Sequence, residues 1–593
     1  MIKLLKADNK LQRLSYYILG FVFFISCFLM LPFCRTPIIK LAGIILHKNL
    51  NLEFWNQIIL YALVTISSFS FYWLASSFFS RYTKSDKFNL KRTLILISLI
   101  LFITSLIVQT VVLYNGIVYG LDDPAYVAIA KEIAENTYKT DFLQMQNVRL
   151  QFAIGYPSLI ACMYKIFGMN FYAIKFVNVL LYAIFVVVLF NFLFSLVNDI
   201  QISLFITALF DLNFTISNWQ NHTMSDTPCM VFSLFCLVLI YNIYFSKSQK
   251  KYTKAILLGF CFFMAYECSM NGLVCLLSLF SIQILICISK LFPNLKFFGI
   301  LINDYCKIDW KIHLIPHIIF IFFIVIQIII YPTLPRYDSF YLDNLSFKVL
   351  LENFSHFHYM YRFFSSAWNE VFHQFNELSK ISFYLSLLLA LYGIIKNCKK
   401  LVIIVIFTIC NTIIYCLWKG FGDFRFYMPL YISLAVFCAF GIKSLKNYLT
   451  SEKKSQFINI VGFTGKFSVI MFCAMFTISI FPFYTNTFKE TIKKNGHSYS
   501  PEAQDIWAYI NANIPKEKTF IFRSPMELYL YTKHNIANPE TADYYLHNYE
   551  IPVDWDRKNM FSDEIVSGNI LEISERQFEL EYSNDKFRLY HAQ

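Results

Sequence analysis

Charge is scarce in this sequence. Asp, Glu, Lys and Arg make up 15% of its 593 residues, which is too little for a soluble chain of that length. Metal-ligand spacing is missing too: the 15 cysteines lie almost entirely in or beside apolar runs, without a CxxC or CxxH arrangement, and the last hundred residues hold none. Neither a zinc site nor a disulfide framework is implied by them. No nucleotide-binding loop, no low-complexity tract and no repeat of roughly 20–50 residues is found, nor an inverted pair of broken helices. The first apolar run, Tyr16 to Phe33, has no small-residue cleavage site, so it reads as a retained span rather than a removable signal peptide.

What is present is apolar and aromatic. With 57% hydrophobic residues, 19% aromatics and a mean hydropathy of +0.51, the chain reads as an α-helical polytopic membrane protein. A helix needs about 20 apolar residues to cross ~30 Å of hydrocarbon while satisfying its own backbone. About thirteen such spans are predicted, at 14–33, 55–79, 92–114, 172–197, 200–218, 228–245, 255–270, 271–289, 312–332, 381–397, 400–418, 427–443 and 466–484. Lysine and arginine surpluses at Lys3–Arg13, Arg81–Arg92, Ser246–Lys254, Lys290–Lys311, Asn397–Lys400 and Lys443–Lys454 fall on one side of that arrangement, which assigns them to the cytoplasm. The alternate connections are then expected outside: Asn115–Phe171, Trp219–Thr227, Pro332–Lys380, Lys419–Phe426 and everything after Tyr484.

Three segments are expected. Residues 1–91 form an N-terminal two-helix membrane segment, 92–484 the main transmembrane module with its loops, and 485–593 a small extracytoplasmic α/β domain. The last segment holds 12 Lys+Arg against 17 Asp+Glu, so it is acidic while the chain as a whole carries +13. Pro501–Ala512 reads as a helix, Thr519–Phe522 as a strand, and a second Pro-initiated helix opens at Met526.

The first outer connection holds Tyr119-Gly-Leu-Asp122-Asp123-Pro-Ala-Tyr126. Adjacent carboxylates at the end of a membrane helix are costly unless they meet water or a substrate. Asp123 before Pro124 reads as an N-cap opening a helix over Pro124–Glu135. That leaves Asp122 outside the cap and makes the pair a candidate active site, although capping and solvation alone would also account for it. Farther on come Arg149, placed to meet an anionic headgroup or to lie at the interface, then Gly155-Tyr-Pro157 and Lys165-Ile-Phe-Gly168. The second outer loop reads Asn221-His222-Thr-Met-Ser-Asp226-Thr-Pro228, with Asp226 again ahead of a proline-opened helix. His222 and Asp226 are weak candidates for a divalent metal, which is possible here but not required. Pro332–Lys380 is rich in aromatics and histidines and contains Arg362, with amphipathic packing as the simpler reading. Gly420-Phe-Gly-Asp-Phe-Arg425-Phe-Tyr-Met-Pro429 sets Arg425 at the mouth of a following apolar helix, where a guanidinium suits a lipid phosphate. Tyr126, Asp226, Arg149, Arg362 and Arg425 are the substrate- or phosphate-binding candidates.

The order of these motifs, the acid pair in the first long loop, Gly-Tyr-Pro, Lys-Ile-Phe-Gly, Ser-Asp-Thr-Pro and Arg-Phe-Tyr-Met-Pro, resembles the GT-C glycosyltransferases. The likeness is to the protein-mannosyltransferase-like group that includes the lipid A aminoarabinose transferases, and it covers roughly Thr93 to Leu445. It implies a GT-C fold and inverting transfer of a hexosyl or pentosyl group from a polyprenyl-phosphate donor to a hydroxyl or phosphate of a lipid, glycan or protein. The membrane would be the plasma (inner) membrane, or that of the ER in a eukaryote, with the active site extracytoplasmic and no nucleic acid involved. Matched by motif, Asp122 takes the place of the general base, Asp123 of its acidic neighbour, Asp226 of the second-loop acid and Arg425 of a phosphate-side contact. Ala153-Ile-Gly-Tyr-Pro157 lacks the basic residue that the aminoarabinose transferases place ahead of this proline, and two spans precede the family's usual first-loop helix. The rival reading is a transporter or flippase of lipid-linked glycans, which would hold its ionisable groups near the midplane in broken helices. Here they sit at helix ends.

Overall fold

The computed structural model describes residues 90–111, 113, 116–117, 123–138, 153–211, 213–244, 250–292, 309–330, 346–364, 376–417, 424–450, 500–522, 524–538, 540–548, 570–573 and 576–593, with isolated helical positions between 17 and 37. The spans expected at 55–79 and 466–484, and more than half of that at 14–33, lie outside the described residues.

The described residues between 90 and 450 are mostly helical. Helix α1 (Leu90–Val111) is followed by two short amphipathic helices, α2 (Asp123–Glu135) and α3 (Gly155–Phe167). Then come α4 (Phe171–Val197), α5 (Ile200–Asp211), the single turn and a half of α6 (Phe214–Trp219), α7 (Asp226–Tyr244), α8 (Lys251–Cys268), α9 (Leu273–Leu291) and α10 (Trp310–Ile330). After α11 (Phe347–Phe354) and a 3₁₀ turn over Ser355–Phe364, α12 (Asn376–Leu417) and α13 (Met428–Thr450) close the bundle. Seven of the described helices are long and apolar enough to cross a membrane, so the protein is a multi-pass membrane protein. α7 and α13 are the most enclosed of them, whereas α1 and α10 bury under a fifth of their apolar windows and turn rows such as Ile95, Leu96 and Leu99 or Ile318, Ile321 and Val325 outward. Such a face has no aqueous explanation and suits lipid.

One departure from the sequence reading has a local cause. The run expected as one span at 200–218 is broken, because the Asn213 carboxamide accepts from Ile216 N–H at 3.0 Å and starts α6 as a separate helix. α12 is two helical stretches that meet at Asn397, where the backbone leaves helical geometry (φ −133, ψ 25) and where the sequence places the connection between the spans at 381–397 and 400–418; the Asn397 side chain donates to Gly393 O at 3.1 Å and to Ser444 Oγ at 2.9 Å. α12 and α13 are pressed together at Gly393 and Gly441. A Cβ on the first would lie 2.3 Å from Phe437 O, and on the second 2.3 Å from Leu389 O, so only glycine permits this approach.

The elements from 500 onward build a six-stranded sheet. After α14 (Pro501–Asn513) and β1 (Thr519–Ile521) come α15 (Pro525–Thr532), β2 (Asn535–Ile536), β3 (Tyr544–Asn548), β4 (Ile570–Ile573), β5 (Arg576–Ser583) and β6 (Phe587–Ala592). Strand order is β2-β1-β3-β6-β5-β4, with β1 parallel to β2 and β3 and the remaining pairs antiparallel. Ser500 caps α14 by accepting from Ala503 N–H at 3.2 Å, with Pro501 next to it. Ile506, Trp507 and Ile510 pack on Phe520, Leu546, Phe587 and Leu589 to make the core. α15 also faces the other way: Met526 and Leu530 enter the same apolar cluster as Ile129, Ala130 and Ile133 of α2. The sheet domain therefore rests directly on the helix that begins at Asp123.

Candidate active site

α2 begins at Asp123 with Pro124 next, a pairing that needs no backbone N–H from the proline and fixes its φ for the helix. The Asp123 side chain is fully buried, and its hydrogen bonds reach across to the second loop. Thr223 N–H donates to Oδ1, as does the Thr223 hydroxyl at 3.1 Å. The other carboxylate oxygen faces His222 Nδ1 at 3.5 Å. In place of the cap expected from local grammar, Asp123 is the first residue of the helix itself and its carboxylate is a tie between the two loops. One turn along, the Tyr126 hydroxyl shares a hydrogen bond of 2.8 Å with Ser225, the residue before Asp226, which opens α7 half-buried.

The loop carrying His222 is held from below by α4, where Asn178 Nδ2 donates to His222 O at 2.8 Å. The imidazole lies flat on Trp219, ring centroids 4.1 Å apart and 28° from parallel. The Arg425 guanidinium stands 5.6 Å from the same indole and 4.7 Å from the Phe426 ring, with Nη1 3.3 Å from Met224 Sδ. Arg425 is almost wholly buried, and aromatic faces suit a weakly hydrated planar cation. Asp123, His222, Trp219 and Arg425 therefore form one continuous row, brought from α2, α6 with its following loop, and the 3₁₀ turn ahead of α13.

Two buried groups complete the row. Tyr156 of α3 packs edge-on to Tyr126 at 5.5 Å, and burial, with Asp123 adding to it, pushes its phenol well above its usual range, so it is neutral. Lys175 of α4 is fully enclosed, close enough for its charge to act on Asp123. The sequence reading missed Lys175, although a lone lysine in the first turns of a long apolar helix is itself a signal. Tyr156 was visible only as part of Gly155-Tyr-Pro157, and Trp219 not at all. Gly155 explains how α3 comes so near: a Cβ there would sit 2.6 Å from Glu267 Cβ at the end of α8, so Glu267 is buried against α3.

Of the other candidates, Asp122 and Arg149 lie outside the described residues. Arg362 is exposed on the 3₁₀ turn after α11, where its carbonyl accepts from Thr215 Oγ1 at 3.1 Å. Among the described residues no three His, Cys, Asp or Glu side chains gather into a metal-binding group. His222 has Asp123 beside it, and these two donors do not make a ligand set.

A carboxylate, a neutral phenol, an imidazole, a buried amine and a buried guanidinium at one end of an apolar bundle can bind an anionic, partly lipidic ligand and exchange a proton with it. No family model matches the sequence, and no curated protein matches it. Among solved structures the chain is similar to ArnT from Cupriavidus metallidurans bound to undecaprenyl phosphate, with a TM-score of 0.48 and 9% identity over 84% of this chain and 97% of that one. The apo state of the same protein gives a TM-score of 0.46 at 10% identity, covering 74% and 84%. The oligosaccharyltransferase AglB from Archaeoglobus fulgidus, in complex with an inhibitory peptide and a dolichol-phosphate, gives 0.42 at 10% identity, covering 76% of this chain and 69% of that one.

Proposed function

We propose that this protein is an inverting glycosyltransferase of GT-C type, moving a sugar from a polyprenyl-phosphate donor to an acceptor hydroxyl or phosphate at the extracytoplasmic face of the membrane. The observation that carries this reading is the row from Asp123 through His222 and Trp219 to Arg425. It sets acid chemistry and an enclosed guanidinium at one end of a membrane bundle, which is what transfer from a lipid phosphate needs.

The chemistry divides between those ends. The acceptor O–H gives its proton to the carboxylate of Asp122, and the freed oxygen bonds to the anomeric carbon from the face opposite the carrier. The bond from that carbon to the phosphate oxygen breaks, and its electron pair leaves with the lipid phosphate. Arg425 stabilises this developing charge through charge-assisted hydrogen bonds in a site from which water is largely excluded. Asp123, tied to Thr223, fixes the start of α2 and with it the neighbouring Asp122. Asp226 and Tyr126 stand where the second loop meets the first and contact the sugar or acceptor, with Arg149 and Arg362 contributing at the rim. No step requires a metal. Residues 1–91 are an N-terminal membrane segment, 92–484 the catalytic module and 485–593 the exported domain.

The test is to incubate the purified protein in lipid with a panel of polyprenyl-phosphate sugars and mass-analyse the released lipid phosphate and the glycosylated product. Undecaprenyl phosphate, the lipid of the ArnT structure, is the carrier to try first. Equal release of lipid phosphate and glycosylated product is expected. Movement of an intact lipid-linked glycan across the vesicle, with no carrier released, would replace the transferase by the transporter.

A further inference from the structure

Helix α2 starts at the proposed catalytic pair and ends in an arrangement it cannot stabilise alone. Its last turns carry Glu132 and Glu135 and its last turn has no base, although the partial negative charge of a helix C-terminus favours cations there. The Glu132 side chain is 3% exposed, so water does little for it.

The missing charge comes from some four hundred residues away. Lys533 of the sheet domain forms an ion pair with Glu132 and stands 3.8 Å from Glu135. Tyr529 donates its hydroxyl to Glu132 Oε1 at 3.1 Å, and Lys131 returns a bond of 3.2 Å to Leu530 O. From α3, the Tyr164 hydroxyl reaches Glu135 Oε1 at 3.1 Å. Beneath these polar bonds lie Met526 and Leu530 in the apolar cluster of α2.

A second observation concerns the backbone of Lys533. It is the C-cap of α15, at φ 61 in the left-handed region, where glycine or asparagine is usual because a Cβ is strained. A lysine there is unfavourable for the domain's own fold, and among the described residues its ammonium pairs with those two carboxylates of α2 and lies 4.8 Å from the Tyr529 ring.

We infer that α15 is a splint for the catalytic helix and that Lys533 is a positioning residue, acting on sugar transfer through α2 and the aspartates at its far end. This role rests on the transferase reading above. α2 is packed against α3 and α15, so a change of seating at Glu132 is passed along the helix to Asp123 at its other end.

The test uses the full chain in lipid with Lys533→Gly and Lys533→Arg. Three quantities are read: amide exchange over residues 126–135 and over the sheet, the rate at saturating donor, and the donor concentration for half-maximal rate. Glycine suits the left-handed cap, so Lys533→Gly leaves exchange in the sheet unchanged while exchange in α2 accelerates at least tenfold. The saturated rate falls at least tenfold and the half-maximal donor concentration stays within twofold. Lys533→Arg recovers most of the rate. Unchanged exchange in α2, faster exchange with an unchanged rate, or equal loosening of the sheet would each overturn the positioning role. A wild-type protein that transfers no sugar from any carrier would remove the transferase reading and this role with it. The exchange arm would still report whether Lys533 holds α2, so the two failures are told apart.

Discussion

Thr223 grips Asp123 twice, its backbone N–H and its hydroxyl both donating to the same carboxylate oxygen. The two loops of the candidate site are joined at this point, and the contact gives Asp123 a structural part in the proposed pair.

Asp122→Asn should therefore abolish turnover in a protein that stays folded and binds donor, while Asp123→Asn, which keeps an acceptor oxygen for Thr223, should be mild. Asp123→Ala or Thr223→Val should lower stability instead, the latter by about 1.5–3 kcal/mol, the usual worth of a hydrogen bond to a charged group. Thermal unfolding in detergent and single-turnover transfer measure the two effects. Full activity of Asp122→Asn would end its role as base.

Arg425→Lys keeps the charge but loses the planar fork and its fit against Trp219 and Phe426. Partial loss of donor use is expected for lysine and severe loss for alanine, with the donor concentration for half-maximal rate rising in both. If that concentration is unchanged at matched folded protein, Arg425 only packs.

Asn136, just past the end of α2, and Asn538 in the sheet domain are both exposed, and α15 docking on α2 puts them on one side of the bundle. Cysteines introduced at either should react with an impermeant reagent in intact cells above the signal of the native thiols. Protection of either one contradicts the extracytoplasmic assignment.

Glu527 sits fully buried in the first turn of α15, and burial pushes its carboxyl up to about 8, with Ser524 acting the other way. Its folded value lies above its unfolded one, so its contribution to stability is full below the ordinary carboxylate range and is lost as pH rises toward about 8. Unfolding temperature should accordingly fall between pH 5 and 9, and Glu527→Gln should raise it at pH 8 and flatten the slope. An identical slope in the variant would mean that Glu527 is ionised throughout.

The membrane helices were legible because apolar length is a property of the chain itself: α1, α4, α7 and α10 begin and end within a few residues of the expected spans. The interruption at Asn397 was legible too, as the Asn397–Lys400 connection between two spans, but the break at Asn213 was not, since it depends on one side chain turning onto nearby backbone inside a run that remains apolar. Within the site, Asp123, Tyr126, His222 and Arg425 stood out as polar groups at helix ends, and the structure brings them together. Their mediator, Trp219, looked like any other interfacial aromatic. Lys533 was hidden for a different reason. Its meaning lies in a contact with Glu132 across most of the chain, and no local pattern encodes that pairing.

The length of α4 has a consequence for donor choice. The stretch from Asn178 to Val197 rises about 30 Å, one hydrocarbon thickness, and Asn178 holds the loop of His222. On the proposed reading, with Val197 at one edge of the hydrocarbon, near the Lys446 and Asp199 pair, the row from Asp123 to Arg425 would lie at the depth of lipid phosphates. A carrier lipid would then meet Arg425 without being lifted out of its leaflet. Depth would sort donors before any sugar is read, favouring those whose phosphate is moored by a tail over freely diffusing sugar nucleotides.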